Sequence, residues 1–362
     1  MARRAKPTAD AFPPPPPFPL PETRSRLFGH DAELQRLREL VSNGALKNGW
    51  LITGQDGVGK ATFAFAAARM LLCPDTGSDG TTSEGARNPA ASLIASGAHP
   101  DLFIARRPWN PKTKKFATEI TVDVIRELTG FMSRTAAMGG ARVAIIDTAD
   151  ELNRNAANAL LKVLEEPPSA AVLFLLTTQP GRLLATIRSR CRTIPLQTVP
   201  DEAVTEFLEN EEGVNTKDIP TYIDAAKGRP GYALRLAIGD GQTAIRAVKD
   251  LLTSSGTSGA ASPSLAKVTG RGGGDAWALF VGVLTDRLYT LIKKSVAFGE
   301  QPLLVSKLVT AHDRVVELLA QTDGLNLDKS QVTFALADTL ASSGFVDVAQ
   351  RLERNAVAAR AH

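Results

Sequence analysis

Residues 50–60 read WLITGQDGVGK, an apolar run followed by a glycine-rich turn that ends in lysine. The apolar run predicts a short buried strand, and the segment from Ala61 to Leu72 predicts a helix after the turn. Gly54 to Lys60 fits the pattern GxxxxGK, in which backbone N–H groups point into one concave site at a helix N-terminus. The sequence therefore predicts a phosphate-binding loop whose binding residues include Gly54, Gly57, Gly59 and Lys60.

The metal side of this loop is incomplete. A Ser or Thr should follow Lys60, because its hydroxyl binds the Mg²⁺ that accompanies the phosphates, but the sequence has Ala61. Thr62 is included among the expected nucleotide-binding residues, but it lies one residue later and about 100° further round the helix, so we expect its hydroxyl to miss the metal. The sequence predicts a loop that can hold phosphate but has an impaired metal site.

A second defect follows another predicted strand. Residues 143–146 read VAII and lead into Asp147, the position of a carboxylate that orients Mg²⁺ in an ATPase of this type. An active ATPase would have a catalytic Glu next, but the residue here is Thr148, which cannot act as a carboxylate base for water. Asp147 taken alone has a second interpretation, a strand-end carboxylate that caps a helix. Ala61 and Thr148 together predict that the chain does not hydrolyse ATP.

The pattern around these motifs predicts an α/β sheet followed by helices. Strands and helices alternate in the first half of the chain, an order typical of a parallel sheet. The further strands are predicted at 102–105, 142–146 and 172–177, the helices at 125–132 and 152–165, a polar hairpin at 106–115 and a long flexible insertion at 74–98. From about residue 199 onward the strand signals fade and helices dominate.

Composition sets the broad class of the protein. At 362 residues the chain is long enough for two or three domains, and its formal charge of +4 permits contact with nucleic acid without requiring it. Cys73 and Cys191 stand far apart and form no CxxC pair, which argues against a disulfide framework and fits a reducing cytosol. Because no apolar run approaches the roughly 18 residues that span a bilayer, we expect a cytoplasmic protein with no membrane contact.

Two further motifs resemble a known family. Residues 158–168 read NALLKVLEEPP and residues 189–191 read SRC, and this pair closely resembles the clamp-loader subunits of bacterial DNA polymerase III, which are AAA+ proteins. Together with Ala61 and Thr148, the motifs resemble the delta-prime type and not the ATP-hydrolysing gamma/tau type. The resemblance is specific from about Phe28 to Gln197 and weaker beyond, where GRPG at 228–231 resembles the family's sensor 2 region.

The resemblance implies a fold and a domain order. The fold is α/β, with an AAA+ P-loop domain built on a parallel sheet, a small helical lid and a C-terminal all-helical collar. The P-loop domain is expected at 26–198, the lid at 199–252 and the collar at 275–362. Composition, not the resemblance, predicts a disordered Pro-rich leader at 1–25, with a docking arm as the alternative, and a Ser/Gly-rich linker at 253–274. Within the collar, a stripe at helical spacing fits either core packing or oligomerisation, and its members are Leu304, Leu308, Val315, Val316 and Leu319.

The Ser-Arg-Cys motif supplies the one catalytic residue that the resemblance implies. Arg190 corresponds to an arginine finger, whose planar guanidinium reaches the γ-phosphate held by a neighbouring subunit and stabilises transition-state charge in trans. Arg182, Arg188 and Arg192 surround it in the sequence, so a general basic surface remains the alternative interpretation. The position within the motif favours Arg190 over Arg188 and Arg192.

The chain departs from the family pattern in two places. Many delta-prime proteins bind zinc through a cysteine cluster after the P-loop helix, but here Cys73 stands alone, with His99 at the far end of the insertion, so we expect no zinc. Active members also carry a sensor 2 Arg where Gly231 stands, and Arg229 and Arg235 are out of register with that position. The second departure is a further sign against ATP turnover.

The resemblance implies a non-hydrolysing delta-prime subunit. Such a subunit assembles with gamma/tau and delta and helps to place the sliding clamp on primed DNA during replication. Any ATP or ADP in its degenerate site is expected to stay unhydrolysed, and the sequence leaves open whether nucleotide binds at all. The alternatives are an active gamma/tau-like clamp-loader ATPase that tolerates Ala61 and a small-molecule P-loop kinase, and neither accounts for the SRC motif together with Thr148.

Overall fold

A computed structural model describes residues 18–43, 48–73, 89–168, 170–253, 261–270, 274–325 and 327–360. These residues form two compact units. The first comprises the described chain up to Phe207 together with Gly228–Tyr232, and the second comprises Leu208–Lys227 together with the chain from Ala233 onward.

The first unit is built on a five-stranded sheet in which all neighbouring strands run parallel. The strands are β1 (Asn48–Thr53), β2 (Leu102–Ala105), β5 (Arg142–Ile146), β6 (Ala171–Thr177) and β7 (Cys191–Pro195), and a separate antiparallel hairpin pairs β3 (Trp109–Asn110) with β4 (Lys115–Phe116). The order across the sheet is β2-β5-β6-β1-β7. The predicted parallel sheet and the predicted hairpin are both confirmed.

Helices cover both faces of this sheet. They are α1 (Asp31–Ser42), α2 (Lys60–Leu72), α3 (Pro89–Ala95), α4 (Val122–Met132), α5 (Arg154–Glu165) and α6 (Ala185–Arg188), followed by α7 (Asp201–Glu209) at the boundary between the units. Side chains of the strands alternate between two cores, so that Ile52 packs with α1 to α3 and Leu51 packs with α4 to α6. Because both faces are covered, every residue of β5 and β6 is buried, as is typical of parallel strands.

The strand order brings the predicted motifs to one edge of the sheet. The carboxyl ends of parallel strands lie at the same edge, where ligands bind in open α/β sheets. The phosphate-binding loop follows β1 and Asp147 follows β5, with β6 lying between these two strands.

The end of the predicted leader is ordered, so the prediction of disorder up to residue 25 is wrong for residues 18–25. A 3-10 turn at Pro21–Thr23 buries the Glu22 side chain. The guanidinium of Arg69 on α2 donates hydrogen bonds to the carbonyls of Glu22 (3.3 Å) and Arg24 (2.6 Å), which holds this segment against the helix. The polyproline run lies in residues 1–17, outside the described residues.

Two other segments contain helices where loops were predicted. The insertion predicted at 74–98 includes α3, because Ala90, Ala91 and Ile94 are buried in the core beside α2, while residues 74–88 lie outside the described residues. The linker predicted at 253–274 includes α11 (Pro263–Thr269), which buries Leu265 and Val268. In both segments a few apolar residues pack despite the flanking Gly and Ser.

Strand β7 was not predicted, and it forms one edge of the sheet. Its residues Arg192 and Thr193 are exposed, so the segment lacks the apolar run that marked the other strands. Pairing with β1, from Gly49 opposite Cys191 to Thr53 opposite Pro195, decides its conformation.

The described part of the second unit is helical. It contains α8 (Ile219–Ala226), most of α9 (Pro230–Ala237), α10 (Gly241–Thr253), α11, α12 (Gly274–Ala297), α13 (Pro302–Leu325), α14 (Lys329–Ser343) and α15 (Phe345–Arg360). In α13, Leu308, Val315 and Leu319 are buried while Val316 is exposed, so most of the stripe faces the core. The boundary between lid and collar stays a prediction.

No single helix among the described residues is long and apolar enough to cross a membrane. Helix α14 and the first part of α15 (Phe345–Leu352) reach such a length and apolar composition only together, with a bend of 73° between them.

Candidate functional site

The loop after β1 has the backbone conformation that its glycines predict. Gly54 (φ 155°), Gly57 (φ 78°) and Gly59 (φ 113°) all have positive φ, and Gly59 caps the N-terminus of α2. Close packing adds a second constraint at Gly57, where a Cβ atom would lie 2.4 Å from the backbone nitrogen of Tyr232. Only glycine fits this position without a shift of the backbone.

Lys60 lies over the loop as the first residue of α2. Its side chain is almost fully buried, and Nζ donates hydrogen bonds to the carbonyls of Gly54 and Gln55, both at 2.9 Å. The Lys60 ammonium group thus lies against the loop at the N-terminus of α2, and a cation beside a helix N-terminus is a combination that favours phosphate. Ala61 and Thr62 follow in the first turn of α2, and Ala61 offers no metal ligand.

Two hydrogen bonds from residues outside the phosphate-binding loop hold its backbone. The first of them, from His30, was not predicted from the sequence. His30, which precedes α1 with a positive φ of 62°, donates from Nε2 to the carbonyl of Val58 (3.0 Å). Gly231, at the start of α9, donates its backbone N–H to the carbonyl of Gly57 (2.8 Å). A Cβ atom on Gly231 would lie 3.1 Å from that carbonyl oxygen, so the position predicted to lack the sensor 2 Arg is packed directly on the loop.

The Asp147 carboxylate already has a cationic partner, which the sequence did not reveal. Arg106 Nε lies 3.1 Å from Asp147 Oδ2, and the two terminal nitrogens of Arg106 bind both carboxylate oxygens of Glu22 at 2.8 and 3.1 Å. Burial by itself would lower the pKa of the Arg106 guanidinium, but the hydrogen bonds and charges of Glu22 and Asp147 outweigh it and raise that pKa. Arg106 is therefore a permanent cation at this edge of the sheet.

The acidic residues beyond Asp147 are engaged as well. The Asp150 carboxylate accepts hydrogen bonds from the hydroxyl of Thr177 and from both the backbone N–H (2.7 Å) and the hydroxyl (2.8 Å) of Thr178. Glu151 pairs with Arg107 at 3.0 Å, and burial is the main cause that raises the pKa of its carboxyl group. Neither side chain takes the place of the carboxylate that Thr148 lacks.

Arg190 lies between α6 and the edge strand β7. Its NH2 group pairs with Glu165 Oε1 at 2.8 Å, its NH1 group donates to the carbonyl of Thr186 at 3.1 Å, and 36% of its side chain is exposed. The neighbouring arginines differ, because Arg188 donates to the carbonyl of Pro180 (3.3 Å) and the Arg192 guanidinium lies 5.7 Å from the ring centroid of Trp50. Arg190 thus lies at an accessible edge of the sheet. It precedes β7, and β6 and β1 lie between β7 and the strand β5 that leads into Asp147.

Cys191 should react slowly with thiol reagents, although it adjoins the exposed Arg190. Burial raises the pKa of its thiol to about 11, so at pH 8 only about one molecule in a thousand carries the reactive thiolate. In a Cys73→Ser variant, labelling by Ellman's reagent should be about two orders of magnitude slower in the native state than in guanidinium chloride. Equal rates in the two states would show that Cys191 is accessible and ionised normally.

Comparison with known proteins gives the same family that the motifs indicate. A family model described as DNA polymerase III, delta subunit, matches residues 29–200. DNA polymerase III subunit delta' of Pseudomonas aeruginosa is 42% identical over 142 residues, which are 39% of this chain and 40% of the relative. The Escherichia coli K12 delta' subunit is 36% identical over 190 residues, 52% of this chain and 54% of the relative.

A tau subunit is also similar to the chain. DNA polymerase III subunit tau of Escherichia coli K12 is 32% identical over 242 residues, 64% of this chain and 36% of the relative. This chain thus spans about half the length, or less, of the curated relatives it matches.

Proposed function

We propose that the chain is a non-hydrolysing clamp-loader subunit of the delta-prime type that acts on a neighbour's ATP through Arg190. The similarity of residues 29–200 to a DNA polymerase III subunit model, and of this part of the chain to delta' subunits, supports the proposal. Its partners in this proposal are the gamma/tau and delta subunits. The assembly places the sliding clamp on primed DNA during replication, in the cytoplasm.

The state of the Asp147 edge is the observation that best supports a non-hydrolysing role. Mg²⁺-dependent hydrolysis needs a hydroxyl ligand after the loop lysine, a carboxylate facing the metal and a group that positions the attacking water. Ala61 and Thr148 lack the first and the last of these groups, and Arg106 occupies the carboxylate of Asp147. All three parts of the machinery are thus altered, while the loop keeps Lys60 and its glycines for holding ATP or ADP.

The proposed role in trans rests on the placement of Arg190. A finger must be exposed, lie at an edge and carry a planar fork that can bind phosphate oxygens. Arg190 meets these requirements, and its exposed pair with Glu165 is of the kind that contributes little stability, so it can exchange for a phosphate at small cost. We also propose that the chain carries no zinc, because Cys73 and His99 do not make up the four-ligand set of a structural site.

An active gamma/tau-like ATPase is the second candidate, favoured by the similarity to a tau subunit over 64% of this chain. It would have to hydrolyse ATP with Ala61, Thr148 and an Asp147 that is paired to Arg106. The first candidate accounts for these three features and the second does not.

Reconstitution tests the proposed role directly. Clamp loading onto primed DNA would be measured with gamma/tau and delta subunits from the same source, with and without this chain. Loading should require the chain. A full loading rate in its absence would contradict the proposed function.

A further inference from the structure

The Mg²⁺ that the fold family implies at Asp147 does not fit the residues that surround this carboxylate. Arg106 immediately follows β2 and Asp147 immediately follows β5, and these neighbouring strands pair Ala105 with Ile146. One residue beyond the end of each strand, the Arg106 guanidinium and the Asp147 carboxylate therefore lie side by side. The contact is a direct consequence of strand register.

Glu22 fixes the guanidinium in this position. It binds both terminal nitrogens of Arg106, while Nε is directed at Asp147, so all three nitrogens of the fork are used by two carboxylates. Such bidentate pairs hold the planar group in one orientation. The guanidinium also lies over the ring of Phe65 on α2, with its carbon 5.8 Å from the ring centroid.

Burial makes the cluster costly to open. The exposed fractions of the side chains are 9% for Glu22, 19% for Asp147 and 33% for Arg106. Withdrawing Arg106 would leave two largely buried carboxylates without their cation, which is strongly unfavourable. The segment that carries Glu22 is itself held by the buried Arg69, through the carbonyls of Glu22 and Arg24.

A divalent ion would have to compete with the Arg106 guanidinium for the Asp147 carboxylate. Mg²⁺ requires near-octahedral oxygen ligands at about 2.0–2.1 Å, and it keeps several of its own waters. Asp147 Oδ2 already lies against a guanidinium nitrogen, and a nearby fixed positive charge opposes a second cation. Among the described residues, no group of three or more His, Cys, Asp and Glu side chains could hold a metal ion.

We propose that Arg106 is the resident cation of the Asp147 carboxylate and that, locked by Glu22, it keeps divalent metal out of the site. Arg106 thereby determines which ligands the loop accepts, namely phosphate without an Mg²⁺ bound through Asp147. The inference deepens the proposed non-hydrolysing role, but it is tested on the isolated chain without ATP turnover. Its failure would therefore leave the role of Arg190 untouched.

Manganese titration followed by electron paramagnetic resonance tests the proposal, with Mn²⁺ as the probe for Mg²⁺. The full-length chain, purified without a metal-binding tag, should bind no Mn²⁺ through Asp147. In Arg106→Gln the two carboxylates lose their cation and should bind one Mn²⁺, with an affinity at least about tenfold above any residual binding elsewhere on the unmodified chain, since carboxylate oxygens are the ligands such ions prefer. Adding Asp147→Asn to this variant should remove the new site.

Arg107→Gln is the matched control, because Arg107 is adjacent and pairs with Glu151 outside the cluster. It should create no Mn²⁺ site. Failure of a folded Arg106→Gln variant to gain a site would overturn the proposal, since the guanidinium would then not be what excludes the metal. If circular dichroism shows that Arg106→Gln does not fold, Mn²⁺ binding by the unmodified chain is compared with Mn²⁺ binding by its Asp147→Asn variant. A Mn²⁺ site that this substitution removes overturns the proposal, and equally absent binding in both supports it.

Discussion

Replacing Arg190 with alanine should slow ATP hydrolysis and clamp loading by the assembled complex while leaving the fold of this chain and its assembly intact. The pair of Arg190 with Glu165 is exposed, so its loss should change stability little. In other P-loop systems an arginine finger is worth roughly 10³–10⁵ in rate at its own site. If several subunits of the proposed assembly hydrolyse ATP, only one site loses its finger, and the total rate should fall by less.

Three variants separate a finger from a basic surface. Arg190→Lys should restore little activity, because a point charge cannot replace the planar fork. Arg188→Ala and Arg192→Ala remove the same charge from neighbouring positions that make different contacts, and both should retain near-normal rates. Equal defects in Arg190→Ala, Arg188→Ala and Arg192→Ala would indicate a diffuse basic surface. A normal rate with Arg190→Ala would show that Arg190 is not an arginine finger.

Replacing Asp101 with alanine should have the largest effect on stability, lowering the free energy of unfolding of the first unit by about 3–5 kcal/mol. Asp101 is fully buried just before β2 and accepts hydrogen bonds from the backbone nitrogens of Ala137 (2.7 Å) and Met138 (2.8 Å). It also lies 3.4 Å from the guanidinium of Arg142, the first residue of β5. Its removal leaves the buried Arg142 guanidinium without its counter-charge and two backbone N–H groups without their acceptor.

Urea denaturation followed by circular dichroism would measure this loss. Asp123→Ala is the matched control, since the pair of Asp123 with Arg126 is exposed and lies on the surface of α4, and its midpoint should shift little. A similar midpoint for both variants would show that the buried cluster before β5 does not hold the strand that leads into Asp147.

The sequence was sufficient to predict the features that depend on local patterns. The phosphate-binding loop, the strand before Asp147 and the edge arginine all lie in short motifs, and the structure has the predicted sheet around them. The strands were predictable because burial on both faces leaves uninterrupted apolar runs such as residues 171–177.

The rest depended on contacts that no local pattern records. Glu22 and Arg106 are 84 residues apart, and their pairing requires the segment at Pro21–Thr23 to pack on α2. Composition predicted disorder there because prolines dominate the preceding residues. Strand β7 was missed because its residues are largely exposed and its conformation comes from pairing with β1. The Arg106–Asp147 contact could have been predicted from the sequence, since two parallel strands that end in register bring the residues after them together.

Phosphate release by the purified chain is the most direct test of a non-hydrolysing subunit. With Mg²⁺, ATP and primed DNA, the isolated protein should release phosphate only at background rate, because Ala61, Thr148 and the Arg106-bound Asp147 leave no working metal and water site. Turnover on the order of 1 s⁻¹, within the normal range for enzymes, that persists on further purification would contradict the account and favour the gamma/tau-like ATPase.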